Sequence, residues 1–240
     1  MILMNRRWGL FLFLLLAMQT RDVRAADDPF EPFNRSVFVF NQAVRLHALT
    51  PLAEVYLDLV PRDIRQGLGT MLSNLREPMT ALSGVAAGKM DTLRTAASRF
   101  AINSTFGAFG IHDRAAELGF PRDGLSPGDA LCAWGMPSGP YLVLPLLGPT
   151  TLRDASAAAV VGAVLGSVIG TVVYGTVSSA DAFNAYTDAH RDVLRFEADA
   201  VDLYALHRSV HLQRRAQSCP VDEARLREAL IGSFTTDADE

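Results

Sequence analysis

The chain has 240 residues, 49% of them hydrophobic, and a net charge of −4. That length suits one large domain or two small ones, and the acidic balance argues against nucleic acid, whose phosphates are held by cationic surfaces. Cys132 and Cys219 are the only cysteines; they could form one bridge in an oxidising compartment, but spacing alone does not decide whether they meet.

Residues 1–25 read as a targeting segment. Arg6 and Arg7 precede an apolar run from Gly9 to Met18, and Val23-Arg24-Ala25 satisfies a small-x-small cleavage rule, so cleavage near Ala25 and ordinary export are expected. The run is too short for a permanent span. No cysteine lies near the cleavage point, so no lipidation is expected.

In the stretch DPFEPFNRSVFVFN (28–41), Pro29 and Pro32 predict an extended start. Phe30, Phe33, Phe38 and Phe40 crowd together there. They form either an aromatic staple onto a core or an interfacial segment with rings in lipid and Asn34-Arg35 at the head groups. A helix is expected over 44–60, ending before Pro61. The apolar spacing Ile64, Leu68, Met71, Leu72 and Leu75 predicts another over 62–75. Glu77-Pro78 opens a short helix that stops at Gly88. Asp91 is placed to cap the next, Thr92 to about Phe106, which Gly107 and Gly110 end. Residues 113–129 are rich in Gly, Pro and Asp and read as loop. Pro137, Pro140, Pro145 and Pro149 exclude a long helix from 134–154 and disfavour a central strand.

Ala155 to Ala180 carries no charge and is long enough to cross a bilayer core. Its four-residue rhythm gives a helix one bulky face and one small face. Gly162, Gly166 and Gly170 then form a doubled small-xxx-small row that lets another helix approach closely. The competing reading is an Ala/Gly/Val-rich core helix of a soluble protein, or two short helices broken near Gly170. Gly, Ser and Thr dilute the insertion energy, so the stretch is a weak stop-transfer signal. Residues 181–217 follow as one long charged amphipathic helix, Pro220 ends it, and 218–240 add a short helix and an acidic tail.

No catalytic constellation is legible. Ser138 sits in GMPSG, without nucleophile-elbow spacing. Gly67-Leu68-Gly69 lacks the partners of a phosphate loop. His207 and His211 share a helix face, but Arg208 stands where a zinc-protease helix carries Glu, so a solvated face is favoured over a metal site. Arg99 beside Phe100 reads as a structural ion pair rather than a catalytic group. No cofactor and no metal are expected.

The ordered pieces Asp28-Pro29-Phe30-Glu31, Phe33-Asn34-Arg35, Phe40-Asn41, Val60-Pro61, Asn74-Leu75, Glu77-Pro78, Arg99-Phe100 with Asn103, Trp134-Gly135, Gly139-Pro140-Tyr141, Leu144-Pro145, Gly148-Pro149 and Leu152-Arg153-Asp154 together resemble the MlaA (VacJ) family. Asp202, Tyr204, Arg208 and Gln213-Arg214 continue the resemblance. It implies an all-α ring of amphipathic helices embedded in the outer membrane around a central channel. It implies removal of mislocalised phospholipid from the outer leaflet and hand-over to a periplasmic carrier, MlaC, without enzymatic activity, and association with trimeric porins. The chain departs from the family pattern at Arg45, Pro127-Gly128 and Cys132, and lacks the lipobox cysteine that many members carry. Gly139, Pro140, Tyr141, Arg153 and Asp154 are expected to shape the channel mouth. Asn34, Arg35, Phe40, Asn41, Arg99 and Asn103 are the other candidate channel or framework residues. A different class of function stands beside this one: a periplasmic scaffold or adhesion factor anchored by one spanning helix. A third, a secreted lipid-cleaving enzyme, lacks a nucleophile.

Overall fold

The computed structural model of the chain describes residues 28–224 and residue 227. The expected targeting segment and the acidic tail lie outside the described residues. Helix α1 (Glu31–Val44) runs through a π-helical turn (Arg45–Leu49) into α2 (Thr50–Leu59). Then come α3 (Arg62–Asn74), α4 (Glu77–Ala86), α5 (Met90–Thr105), the single turn α6 (Arg114–Glu117) and α7 (Pro127–Ala133). A hairpin of β1 (Tyr141–Leu144) and β2 (Gly148–Thr151) leads into α8 (Leu152–Ile169), α9 (Thr171–Glu197) and α10 (Leu203–Ser218).

Local chemistry accounts for most of these boundaries. Pro32 starts α1 instead of keeping it extended, because a proline in the first turn gives up an N–H that has no helical partner anyway. Asp91 does not cap α5; it lies in the first turn, after an N-cap at Lys89, and pairs with Arg94 at 3.2 Å. Ser126 and Asp129 form a reciprocal capping box that turns part of the expected loop into α7. Thr151 caps α8 by accepting from the Asp154 N–H. The long helix expected over 181–217 is broken between Glu197 and Leu203, and Asp202 caps the second piece through the Ala205 N–H. The proline-punctuated segment supplies the one departure from an all-helical chain among the described residues. Tyr141 pairs with Thr151 and Leu144 with Gly148, and Pro149 is tolerated because a two-stranded hairpin has only edge strands.

The uncharged stretch is not one helix. Gly170, at φ 92° and ψ 135°, ends α8 and begins α9. Gly162 and Tyr174 would stand about 18 Å apart on a continuous helix. Instead, a Cβ on Gly162 would touch the Tyr174 ring at 3.4 Å, and one on Gly166 would reach Thr171 at 3.2 Å. The glycine row thus brings α8 and α9 together, while Gly170 supplies the turn rather than a packing face. Helix α8 is long and apolar enough to cross a membrane, and only 17% of that window is buried, which is not how the core helix of a water-soluble domain sits.

Packing closes a circuit: α3 on α5, α5 on α4, α4 on α7, α7 on α8, α8 on α9, and α9 back on α3. The interior is unusually polar. The largest fully buried side chains include Arg99, Arg153, Asn34, Asn74 and Asn103, whereas Phe33, Phe106, Phe109, Leu147, Val168 and Val172 are exposed. Soluble domains distribute these classes the other way.

Gly170→Ala places a side chain in a backbone region reserved for glycine. It is expected to lower stability by about 1–3 kcal/mol, read from thermal unfolding in detergent. An unchanged midpoint would mean that the turn does not rest on this torsion.

Candidate functional site

Helix α1 fastens the hairpin with two asparagines two turns apart. Asn34, fully buried, donates from Nδ2 to the Tyr141 carbonyl at 3.0 Å and to Asp28 at 3.0 Å, and its Oδ1 accepts from the Val143 N–H at 2.9 Å. Asn41 repeats the device, donating to the Leu144 carbonyl at 2.9 Å and accepting from the Leu146 N–H at 2.8 Å. The free edge of β1 is thereby satisfied by side-chain amides instead of a third strand. Beneath it Phe38, Tyr141, Val143 and Tyr204 form a small apolar core. Tyr204 donates its hydroxyl to Asp28, and the Arg35 guanidinium lies 4.4 Å over its ring. Arg35 also grips Asp202 through two nitrogens, at 2.8 and 3.2 Å, and Glu31 at 2.7 Å. The Arg35 hydrogen bond holds the Asp202 carboxyl down to about 2.

Two further clusters hold the rest of the frame. Arg99, 1% exposed, donates to Glu77 at 2.7 Å, to the Phe120 carbonyl at 2.6 Å and to both oxygens of Asp113 at 2.8 and 3.0 Å. Burial pulls its pKa down, yet the bonds to Asp113 and Glu77 outweigh that and keep it above its ordinary value. Asn103 joins the cluster by donating to Asp113 and accepting from the Ala115 N–H. Arg153, fully buried, donates to Asp222 at 2.9 Å and to the Met136 carbonyl at 2.9 Å. Arg215 bridges Asp129 at 2.8 Å and Asp154 at 2.9 Å. Gly128 is required where α7 crosses α8, since a Cβ there would sit 2.2 Å from Asp154 Oδ1. Cys132 and Cys219 form a disulfide, so residues beyond the boundary expected at 217 are tied into the frame.

Beside this frame, α4, α7 and α8 enclose a cavity of about 670 Å³. Leu82, Trp134, Leu152, Val160, Val164 and Leu165 supply its walls. The Trp134 Nε1 donates to the Ala86 carbonyl at 2.8 Å, which anchors the indole at the end of α4. Serines are the only polar residues in the lining: Ser156 is spent on the Arg153 carbonyl, and the Ser83 hydroxyl is buried without a partner among the described residues. No titratable side chain belongs to the lining, so the cavity can hold hydrocarbon but carries no group for acid–base chemistry.

The sequence-predicted residues therefore separate. Asn34, Arg35, Asn41, Arg99, Asn103, Arg153 and Asp154 are framework. Tyr141, 3% exposed, and Arg153 are buried. Gly139, at φ 70°, and Pro140, whose carbonyl accepts from the Leu152 N–H at 3.1 Å, set the entry of the hairpin. Phe40 stays exposed with Phe30 and Phe33, leaving Phe38 alone as the staple. His207 and His211 serve separate ends: His207 meets Glu197 at 2.6 Å, and His211 packs on the Tyr141 ring at 5.7 Å. The cavity escaped sequence reading because its lining comes from three distant segments; the bulky face of α8 was its only legible part.

A family model described as MlaA lipoprotein matches residues 26–218. An uncharacterised protein of Rickettsia conorii is 36% identical over 133 residues, covering 55% of this chain and 53% of the relative. The intermembrane phospholipid transport system lipoprotein MlaA of Haemophilus influenzae is 32% identical, covering 59% of this chain and 58% of the relative; that of Escherichia coli is 31% identical, covering 61% and 60%. The chain spans about half the length of the curated relatives it matches. A solved chain described under "Structural basis for maintenance of bacterial outer membrane lipid asymmetry" superposes with a TM-score of 0.65 at 26% identity, over 80% of this chain and 98% of that one.

His211 makes the hairpin contact sensitive to acid. Burial pushes its pKa down from 6.5 to about 4, so the folded state refuses a proton that the unfolded chain accepts. Its stabilising contribution is complete above pH 6.5 and is lost as pH falls toward 4, on the order of 3 kcal/mol in all. In His211→Phe this part of the stability–pH curve, measured by denaturant unfolding in detergent, is expected to flatten.

Proposed function

The chain belongs to the MlaA lipoprotein family, and from that premise we propose that it transports phospholipid without enzymatic chemistry. It removes misplaced lipid from the outer leaflet of a Gram-negative outer membrane and passes it toward the periplasm. One observation carries the proposal: a 670 Å³ cavity walled by apolar side chains opens beside a helix that is itself mostly unburied. An acyl chain gains free energy there at roughly 25 cal/mol per Å² removed from water, and with no covalent step the cavity needs no reactive group.

In this reading residues 1–25 direct export and are removed, and residues 26–217 form the membrane-embedded ring around the channel. The closed circuit of helices is the geometry a ring requires. Glycine-diluted α8 is too weakly apolar to be retained in the first membrane it meets. It settles in the second, where α9 and α7 pack against it. Asn34, Asn41, Arg99 and Arg153 hold the frame. Backbone of the proline-rich hairpin is paired within the protein, as any backbone at membrane depth must be. The family resemblance extends the reading to a soluble periplasmic carrier of the MlaC kind and to trimeric porins as partners. A scaffold hung from a single spanning helix fits less well, because α9 turns back onto α8 at Gly170.

Ala159→Trp fills the cavity from an exposed position on α8. Photo-crosslinking of the purified chain to a phospholipid carrying a reactive acyl chain is expected to fall at least tenfold. Amine-reactive head groups at the cell surface should rise to the level of cells lacking the protein. Crosslinking and surface lipid equal to wild type, with helicity unchanged, would defeat the proposal.

A further inference from the structure

A second cleft, of about 460 Å³, lies across α2, α3 and α9. Its chemistry is the reverse of the first. Arg62 and Arg65 enter from the start of α3, Arg191 and Arg195 from the last turns of α9, and Asp188 and Asp192 are the only acidic residues in the lining. Four guanidiniums against two carboxylates leave a local surplus of positive charge on a chain whose net charge is −4.

The arginines are poorly neutralised by the protein itself. Asp192 reaches Arg195 only at 3.8 Å, between exposed side chains. Asp188 accepts from the Asn184 side chain at 3.2 Å. Arg65 spends its Nε on the Val60 carbonyl at 3.0 Å, leaving its two terminal nitrogens. Arg62 and Arg191 have no ion-pair partner among the described residues. A helix terminus adds to the same field: α3 begins at Arg62 with no side-chain cap on its first N–H groups, and such N–H groups with the helix dipole favour an anion. The floor is Leu57 and the buried Thr187.

We propose that this cleft is a binding site for a phosphate group, held by Arg62 and Arg191 across the gap between α3 and α9, with Arg65 and Arg195 completing the cage. Guanidinium forks match the tetrahedral oxygens of phosphate through paired hydrogen bonds, and the spread of four of them over two helices suits one multiply bonded anion better than scattered surface pairs. The phosphate comes either from a lipid head group presented at the membrane surface or from a soluble phosphate. The site is independent of the acyl-chain cavity, so it stands or falls apart from the lipid-transport reading.

The test uses the full chain in a zwitterionic detergent free of phosphate. Inorganic phosphate and, separately, mixed micelles containing phosphatidylglycerol are titrated by calorimetry into wild type, the double variant Arg62→Gln/Arg191→Gln, and Arg94→Gln, an exposed arginine on α5. Affinity is expected to fall at least tenfold in the double variant, to stay unchanged in Arg94→Gln, and to weaken with added sodium chloride. Binding of inorganic phosphate identifies a soluble source; binding of the phosphatidylglycerol micelles alone identifies a lipid head group. Wild type binding neither probe, or the double variant binding both as wild type does, overturns the proposal. Circular dichroism and an intact disulfide in the double variant show that any loss is not unfolding.

Discussion

The fold rests on finding partners for its buried arginines and for Asn34. Arg99 and Arg153 are among the most deeply buried side chains, and an isolated buried charge would cost several kcal/mol. Arg99 is met by two carboxylates and a carbonyl, Arg153 by Asp222, Asp154 and the Met136 carbonyl. Asn34 spends its amide on Asp28 and on two backbone groups of the hairpin. Beyond the small core of Phe38, Tyr141, Val143 and Tyr204, many large apolar residues face outward or line the cavity. Apolar side chains outside and paired polar groups inside are the arrangement that a lipid solvent favours, because what that solvent will not satisfy must be satisfied within the protein.

The cavity and the cleft are chemical opposites. One, on α4, α7 and α8, has hydrocarbon walls; the other, on α2, α3 and α9, has guanidiniums. Helices α8 and α9 are joined at Gly170, but both sites lie away from that turn: the cavity meets α8 over 152–165 and the cleft meets α9 over 187–195. That turn is where the glycine row draws the two helices together.

Helix positions were largely legible because they rest on local chemistry: Glu77-Pro78 opens α4, and Pro61 separates α2 from α3. The misreadings share a cause. Residues 155–180 carry no charge to mark a break, and periodicity alone cannot distinguish a glycine that packs from one that turns, so Gly162 and Gly170 looked alike. Residues 198–202 continue the helical pattern, but Asp202 leaves the helix to cap α10 and to pair with Arg35. Pro149 in a strand looked unfavourable, but in a two-stranded hairpin β2 is an edge strand and needs no N–H there. A family resemblance pointed to the framework residues, but of their roles only the Arg99 ion pair was legible. Whether Tyr141 or Arg153 lines an opening or fills a core is decided by Tyr204 and Asp222, dozens of positions away.

The cross-link between Cys132 and Cys219 has a consequence for the order of events during biogenesis. It joins α7 to the segment after α10, and Asp222, three residues further on, neutralises Arg153 at the head of α8. Thiols stay reduced where the chain is made and oxidise only after export. On the export route proposed above, the clasp closes only after Cys219 has reached the oxidising side. Until then the α8–α9 hairpin lacks the latched wall beside it, and redox chemistry rather than synthesis times the closing step.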